Sequence, residues 1–346
     1  MHERLDFCSV INLNAIQRMP RVFGIGNPLM DVVIKCESSK LAKLGLTRGS
    51  STRFEMGKLD CLVEEMRGSI VSKKLGDRVR NTLEGVSKLG GRTAYCGLVG
   101  ANGESKEFKN ALARTGITPV LVNQANCRIG KVLVFVDEAQ ERSFAVNMGD
   151  TMQISRADLN QHLRVLNSSS TLLISSSNAC SSEPISEAIA SAAEHAKNKQ
   201  LKVAFAVENI GDLGKKRACV SKFASTYADI LFLNESEASE LTGERNAMKA
   251  LSKLKTISPV VVMTRGANGA VIWDGKREVS VLATQAKAVD TTGAGDYFAS
   301  GILFGLSQNL PMRELGGIAS ALAAHVVTFL GASFIELTRA KVKAGF

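Results

Sequence analysis

The chain has 346 residues, enough for one large α/β domain or two modest ones, and 45% of them are hydrophobic, as in a globular protein with a sizeable core. The formal net charge is +10, but the basic residues are dispersed and the few aromatic residues offer no stacking platform, which disfavours a nucleic-acid-binding module. A basic chain suits an anionic nucleotide better. No apolar run in the sequence reaches the ~18 residues of a membrane-spanning helix, so no membrane partner is expected.

The cysteines and histidines show no metal-binding pattern. Seven cysteines are scattered without the spacing of metal ligands, and the four histidines do not cluster, which argues against a zinc site. The odd cysteine count predicts reduced thiols, and therefore the cytoplasm or another reducing intracellular compartment. Residues 1–19 lack the basic end and long apolar stretch of a signal peptide, so we interpret them as an N-terminal extension.

The first half of the chain combines short strands with polar turns. An apolar strand at 21–26 ends in glycines, Asn27 turns the chain, and Asp31 precedes a second apolar run. Two further apolar runs, 130–136 and 142–146, flank a polar turn and predict a β-hairpin.

From residue 155 onward, helical and strand patterns alternate. The predicted helices and strands follow one another at 155–166, 171–175, 184–198, 202–207, 215–227 and 230–233. This alternation favours a doubly wound α/β fold, in which a mostly parallel sheet is covered by helices on both faces. Ligands in such folds bind beyond the carboxyl ends of the strands.

The segment from Asp290 to Asp296 joins a predicted strand to a predicted helix. Gly293-Ala294-Gly295 forms a small-residue turn whose backbone N–H groups can approach a ligand, and a helix N-terminus favours an anion there. An acid beside such an anion hole suits a group that removes a nucleophile's proton while the amides hold a transferring phosphoryl group. An ordinary strand-to-helix turn with an acidic first-turn residue would have the same local pattern.

The run from Asp290 to Asp296, followed by Ala299-Ser300-Gly301, resembles the C-terminal signature of the phosphofructokinase B (PfkB), or ribokinase, family of carbohydrate and nucleoside kinases. Similarities in the same order extend from about Gly24 to Ala332. The resemblance implies a ribokinase-like α/β fold with a doubly wound, mostly parallel sheet, helices on both faces and a small β lid. The implied parts are a kinase domain at 20–335, lid segments at about 30–54 and 127–148, and a C-terminal tail at 336–346.

The resemblance also implies the catalytic roles. Asp296 would accept the proton of an attacking alcohol, and the amides of Gly293, Ala294 and Gly295 would hold the γ-phosphoryl group of ATP.

On the nucleotide side, Asn234 and Glu237 match the family's Asn-x-x-Glu and would order Mg²⁺ through water. An N-cap asparagine followed by first-turn acids would show the same pattern, and the two interpretations are compatible. The remaining implied ATP-binding residues are Thr264, Gly266, Gly269 and Thr292. Family members often bind K⁺ beside the loop that corresponds to Asp290–Thr292.

The acceptor side is implied by the first strand. Asp31 matches an acid that binds acceptor hydroxyls, and a carboxylate can accept hydrogen bonds from two neighbouring hydroxyls, although a solvated turn residue is the alternative. The other implied acceptor-binding residues are Asn27, Asn81 and Asp77, with Arg142 and Asn147 as lid residues near the substrate. For Arg142, a surface strand residue is the favoured alternative.

Three segments depart from the family pattern. Asp77 stands where the N-terminal signature has a glycine against the acceptor, and a carboxylate there is expected to exclude anionic sugars. The segment Ala101-Asn102-Gly103 lacks the family's acidic residue, and Glu208-Asn209 matches an acidic or asparagine-containing segment only loosely.

These similarities predict an ATP-dependent kinase that phosphorylates the hydroxymethyl group of a neutral sugar or nucleoside, in an adenosine-kinase-like or sugar-kinase-like reaction. The expected partner is a small molecule, and the expected assembly is a monomer or homodimer. The alternative is a catalytically weak paralogue that binds a nucleotide or sugar in a regulatory role, which Asp77 and the missing acid motivate. The intact run from Asp290 to Asp296 argues against that alternative.

Overall fold

The structure, a computed structural model, describes residues 21–208, 213–329 and 331–332. The predicted extension at 1–19, the tail at 336–346 and Asn209 lie outside these residues. The strands of the described residues are β1 Arg21–Ile25, β2 Leu29–Lys35, β3 Ser51–Arg53, β4 Ile70–Leu75, β5 Arg92–Val99, β6 Ile117–Asn123, β7 Gly130–Val136, β8 Arg142–Asn147, β9 Thr171–Ser175, β10 Lys202–Ala206, β11 Ile230–Asn234, β12 Val260–Thr264, β13 Ala270–Trp273 and β14 Glu278–Val281.

The same residues contain α-helices of four to fifteen residues. They are α1 Ser38–Leu41, α2 Met56–Glu65, α3 Arg78–Lys88, α4 Gly103–Arg114, α5 Arg156–Asn160, α6 Leu163–Asn167, α7 Ser176–Ala179, α8 Pro184–Asn198, α9 Leu213–Tyr227, α10 Glu235–Thr242, α11 Ala247–Leu254, α12 Ala294–Ser307 and α13 Met312–Val326. None of the helices in this part of the chain combines the length and the apolar character needed to cross a membrane.

The large sheet has nine strands in the order β14-β13-β12-β11-β10-β9-β1-β5-β6. Its strands pair in parallel except at the β12–β13 and β13–β14 edge, where the pairing is antiparallel. Side chains alternate between the faces of a strand, so Phe23 and Ile25 of β1 pack in one core with α8 while Val22 packs in another with α3 and α12. Helices therefore cover both faces of the sheet, which confirms the predicted doubly wound α/β fold.

A five-stranded sheet in the order β3-β8-β7-β2-β4 forms the lid, together with α1 and α2. Leu59 and Leu62 of α2 pack on its outer face, against Ile34 and Phe135. The opposite face of the same strands points to the turn before α12. The predicted hairpin is present as the antiparallel β7–β8 pair. Strand β4 also belongs to this sheet, through antiparallel pairing with β2, although it lies outside the two segments predicted for the lid.

The prediction that the cysteines are all reduced thiols is wrong for one pair. Cys180 and Cys219 form a disulfide, with their Cα atoms 5.9 Å apart and 39 residues apart in sequence. Cys219 lies on α9, whose packing beside α7 brings it to the residue that follows α7. An odd cysteine count carries no information about such a tertiary contact.

Candidate active site

The turn that begins α12 can be built only with glycine at its first position. Gly293 has a φ of 83°, in the left-handed region, and a Cβ atom there would lie 2.6 Å from the Cβ of Ala332. The backbone then enters the helix at Ala294, so the N–H groups of the first turn point out of the helix end. This geometry gives the Gly293-Ala294-Gly295 segment the form of an anion-binding helix N-terminus.

Asp296 lies in the first turn of α12 and is only 7% exposed. The Asn81 side chain donates a hydrogen bond of 2.8 Å to its Oδ2, and Nε of Arg78 lies 3.2 Å from its Oδ1. Burial raises the pKa of Asp296, while Arg78, the Asn81 hydrogen bond and Arg80 oppose that rise. The carboxylate is thus held in place by two donors and made more basic by its surroundings, as a proton acceptor requires.

A buried polar network behind Asp296 was not predicted from the sequence. Arg80 donates to the Glu84 carboxylate and to the side-chain oxygen Oδ1 of Asn81, and the Tyr297 hydroxyl donates to Glu84 at 2.8 Å. Arg80 also binds two backbone carbonyls, so its guanidinium fixes the orientation of the Asn81 amide. The i,i+4 spacing of Arg80 and Glu84 on α3 is a sequence signal for their pairing, but not for its burial.

A cavity of about 150 Å³ lies between the lid sheet and the turn before α12. The lid strands form one wall, which is mostly apolar but carries three charged side chains, and the turn before α12 forms the other wall together with residues 331–332. The lining residues are Asp31, Val33, Lys74, Val132, Val134, Val136, Arg142, Phe144, Asp290, Thr292, Gly331 and Ala332. Burial raises the pKa of Asp31 to about 6, although Arg80 and Lys74 oppose the rise.

The Asp77 side chain points to Tyr95 and to the end of β1. Its φ is 88°, unusual for a residue with a side chain, and its carboxylate accepts a hydrogen bond of 2.8 Å from the Tyr95 hydroxyl. The carboxylate lies against Gly26, at the end of β1. Burial raises its pKa to about 7. Asp77 is not one of the cavity's lining residues in the described part of the chain, so its expected effect on anionic acceptors has no geometric support.

Asn27 and Asn178 form a buried amide pair beside the ends of β1 and β9. The Asn27 amide donates to Oδ1 of Asn178. The remaining atoms of the pair, Oδ1 of Asn27 and Nδ2 of Asn178, have no hydrogen-bond partner among the described residues. A buried donor and a buried acceptor without partners are costly, and a polar ligand would satisfy both.

Asn234 and Glu237 form a capping box at the start of α10. The Asn234 side chain accepts from the Glu237 N–H at 2.8 Å, and Oε2 of Glu237 accepts from the Asn234 N–H at 2.7 Å. The other carboxylate oxygen, Oε1, lies 3.8 Å from Nη1 of Arg78. The N-cap interpretation is therefore correct, and it leaves one carboxylate oxygen facing the site.

The donor set fits Mg²⁺ bound largely through water and phosphate. In the described ranges, no three His, Cys, Asp or Glu side chains come together as a ligand cluster. One carboxylate from Glu237 suits magnesium, because this ion is typically bound through one or two carboxylates and keeps several of its waters.

The loop after β12 lies at the carboxyl end of that strand. Thr264 ends β12, and Gly266 and Gly269 have φ values of 57° and 79°. At Gly269 a Cβ atom would overlap the backbone of Val281 on β14, so the turn needs glycine there.

Arg142 connects the lid to the turn before α12. Its Nη1 lies 2.6 Å from Oδ1 of Asp290 and donates to the Thr292 hydroxyl at 2.7 Å. Burial alone would raise the pKa of Asp290, but hydrogen bonds from Thr292, Gly331 and Arg142 lower it, so this carboxylate is ionised. The sequence suggested Arg142 as a substrate-facing residue and gave no sign of its contact with Thr292.

Asn147 serves the lid itself. Its amide donates to the backbone carbonyl of Phe54 at 2.6 Å and its Oδ1 accepts from the Gly149 N–H at 2.8 Å. Among the predicted site residues, the structure thus brings Asn81, Asp296 and Glu237 to Arg78, and Asp31, Thr292 and Arg142 to the cavity.

Comparisons with known proteins agree with this geometry. The sequence profile of the "pfkB family carbohydrate kinase" matches residues 41–339. An uncharacterized sugar kinase of Archaeoglobus fulgidus is 28% identical over 72% of this chain and 96% of its own length. The adenosine kinase of Saccharomyces cerevisiae is 24% identical over 90% of this chain and 95% of its own. The crystal structure of adenosine kinase from Sinorhizobium meliloti superposes with a TM-score of 0.82 at 24% identity, covering 92% of this chain and 97% of that one. The chain belongs to the pfkB family of carbohydrate kinases and is a phosphotransferase with an alcohol group as acceptor.

Proposed function

We propose that the protein transfers the γ-phosphoryl group of ATP to the hydroxymethyl group of a neutral sugar or nucleoside. The observation that carries the proposal is the position of Asp296, which is buried, held by Asn81 and Arg78, and directly follows the Gly293-Ala294-Gly295 amides. A proton acceptor and an anion hole on adjacent residues fit in-line phosphoryl transfer.

In the proposed reaction, the acceptor oxygen attacks the γ-phosphorus and gives its proton to Asp296. The bond between the γ-phosphorus and the bridging oxygen breaks, and its electron pair leaves with ADP. The first-turn amides of α12 hold the charge on the transferring group. Asn234 and Oε1 of Glu237 would hold Mg²⁺ through water, and the ion supplies neutralisation of the phosphate charges.

The acceptor would occupy the cavity between the lid and the turn before α12. Asp31 at one end can accept hydrogen bonds from hydroxyl groups, and the valines of β2 and β7 offer an apolar wall. Two acidic side chains, Asp31 and Asp290, face two basic ones, Lys74 and Arg142, so the lining is balanced in charge. This balance supports a neutral acceptor.

ATP would lie on the other side of the α12 turn. Thr264, Gly266, Gly269 and Thr292 are proposed to contact it, because the first three form the loop after β12 and the last borders the anion hole. We also propose K⁺ as an activator beside Asp290, whose carboxylate is ionised there. Comparing activity in K⁺ and in tetramethylammonium tests this part.

A coupled assay of ATP consumption over adenosine, inosine, guanosine, ribose and fructose tests the proposal. Turnover with at least one neutral acceptor is expected. Efficient use of only fructose 6-phosphate or fructose 1-phosphate would contradict the neutral acceptor, and no nucleotide binding at all would contradict the kinase. The regulatory alternative is not favoured, because the relatives are kinases and the proton acceptor keeps both of its donors.

A further inference from the structure

Arg78, the first residue of α3, places its guanidinium between the two halves of the site. Its Nε lies 3.2 Å from Oδ1 of Asp296, and its Nη1 lies 3.8 Å from Oε1 of Glu237. The same Nη1 donates to the backbone carbonyl of Val207 at 3.1 Å. The guanidinium therefore bridges the proton acceptor on α12 and the carboxylate on the metal side.

The charge around Arg78 is strongly negative. Burial alone would lower the pKa of its guanidinium, but Asp296, Glu208 and Glu237 raise it, so the group is always protonated. Glu208 is itself buried, which raises its pKa, and Arg78 is the first of the groups that oppose this rise. In the absence of a nucleotide, Arg78 thus faces these three carboxylates and Asp77, while Arg80 also lies near Asp296.

Arg78 differs from its neighbour Arg80 in access to a ligand. The Arg78 side chain is 39% exposed, whereas that of Arg80 is 3% exposed and fixed to Glu84. A partly exposed guanidinium can exchange partners at little cost, while a buried one cannot. Arginine also presents several donors in a planar fork that matches phosphate oxygens.

The position of Arg78 follows the path of the phosphoryl group. In the proposed reaction that group lies between the Asp296 end of the site and the Glu237 end, which are the two ends that Arg78 joins. The anionic γ-phosphate of ATP would meet these carboxylates on entering this space, and repulsion would oppose it unless a cation lay there too.

We propose that Arg78 is a catalytic residue that exchanges partners: it pairs with Asp296 in the free enzyme and donates hydrogen bonds to the γ-phosphoryl group in the ternary complex. This inference rests on the proposed function. In the step itself, the acceptor hydroxyl gives its proton to Asp296, the new oxygen–phosphorus bond forms, and the bond to ADP breaks. Arg78 neither gains nor loses a proton; its N–H groups move from the carboxylate to the phosphoryl oxygens.

The exchange would also activate the base. Asp296 faces Arg78, Asn81 and Arg80 from α3, with Glu208 nearby from the segment after β10. Arg78 is the group that most strongly lowers the pKa of Asp296 against the effect of burial. When Arg78 turns to the phosphate, the pKa of Asp296 rises, and the carboxylate becomes a stronger proton acceptor. The base would reach full strength only when the γ-phosphate is present.

Nucleotide binding without turnover tests the inference. Calorimetry would compare Mg·ADP with the Mg complex of the β,γ-imido analogue of ATP for the wild type, Arg78→Ala, Arg78→Gln and Arg78→Lys. Arg78→Ala and Arg78→Gln are expected to weaken the imido analogue by about tenfold or more and ADP by less than about twofold, because only the analogue carries a γ-phosphate. Arg78→Lys keeps the charge and should recover part of the loss.

A matched control is Arg128→Ala. The Arg128 side chain is 42% exposed and pairs with Asp60 at 2.5 Å in the lid region. The variant therefore removes a cation of similar exposure at a different place in the structure. It should leave both affinities unchanged.

The outcomes separate the two proposals. Equal losses for ADP and the analogue in Arg78→Ala and Arg78→Gln would overturn the role of Arg78 and leave the kinase intact. A wild type that binds neither nucleotide would overturn the proposed function and the inference together. Thermal unfolding checks that each variant folds, and if Arg78→Ala does not, the contrast between Arg78→Gln and Arg78→Lys decides.

Discussion

Replacing Asp296 by asparagine removes the proposed proton acceptor with almost no change of shape. General-base assistance contributes a factor of about 10²–10⁴, so kcat should fall by that factor, equivalent to about 3–5 kcal/mol of activation free energy. The anion hole is backbone and stays in place, so the affinity for ADP should change by less than about twofold.

The hydrogen bonds around Asp296 add a second, separable effect. Asn81 donates to Oδ2 and Arg78 lies at Oδ1, so an amide in place of the carboxylate must turn its NH₂ group towards one of these donors. The Asn81 amide cannot turn to meet it, because its oxygen is held by Arg80. An unsatisfied buried donor costs about 1–3 kcal/mol, while removing a carboxylate whose pKa is raised by burial offsets part of that cost.

A double variant separates the two effects. Asp296→Asn combined with Asn81→Asp exchanges donor and acceptor, so it should recover thermal stability relative to Asp296→Asn but not turnover. Initial rates at saturating substrates, with thermal unfolding of all three proteins, would show this. Wild-type turnover in Asp296→Asn would refute the assignment of the base.

Three further predictions concern the surroundings of the site. Because the pKa of Asp31 is raised to about 6 and its ionised form accepts hydroxyl hydrogen bonds, acceptor affinity should fall as the pH drops through about 6. Calorimetry should show that Asp31→Asn weakens acceptor binding and removes this pH dependence, while ADP binding is unchanged. An equal loss of affinity for both ligands would exclude Asp31 from the acceptor site. Arg80→Met leaves Glu84 buried without its cation and should lower the free energy of unfolding in urea by about 3–5 kcal/mol. Adding Glu84→Gln should restore part of that stability, and no recovery would argue against an ion pair between Arg80 and Glu84. Reducing the disulfide, which spans 39 residues, should lower the free energy of unfolding of the wild type by up to about 4 kcal/mol. The same reductant should not change the stability of Cys219→Ser, which lacks the disulfide. Identical melting of the wild type with and without reductant would contradict a bond between Cys180 and Cys219.

The features of the site that depend on residues close together in the sequence were predictable from the sequence. The turn at Gly293 and the acid at Asp296 are three residues apart, so strand, turn and helix patterns around them were enough to predict their geometry. Asn234 and Glu237 were predictable for the same reason, since a capping box joins residues three apart. The alternation of helices and strands likewise predicted the parallel sheet.

Features that depend on distant contacts were not predictable. Asp296 meets Asn81 across 215 residues and Arg142 meets Thr292 across 150, and no periodicity encodes such pairs. The side-chain direction of Asp77 follows from its φ of 88° and from the Tyr95 hydroxyl, neither of which a residue type reveals. Strand β4 joins the lid only through β2, and its mixed polar sequence gave no sign of that pairing.

Under the proposed function, the contact of Arg142 with Asp290 and Thr292 would couple the binding of the two substrates. The same side chain lines the cavity proposed for the acceptor and contacts the turn before α12, whose amides are proposed to hold the phosphoryl group. A ligand that lifts the lid must break this contact, and a ligand that draws Thr292 towards a phosphate must do so as well. Whichever substrate binds first therefore supplies the free energy that separates Arg142 from Asp290 and Thr292. The affinity for the second substrate then increases by the same factor in either order of binding. Equilibrium titrations would register this as positive cooperativity between acceptor and nucleotide, and it would disappear with Arg142.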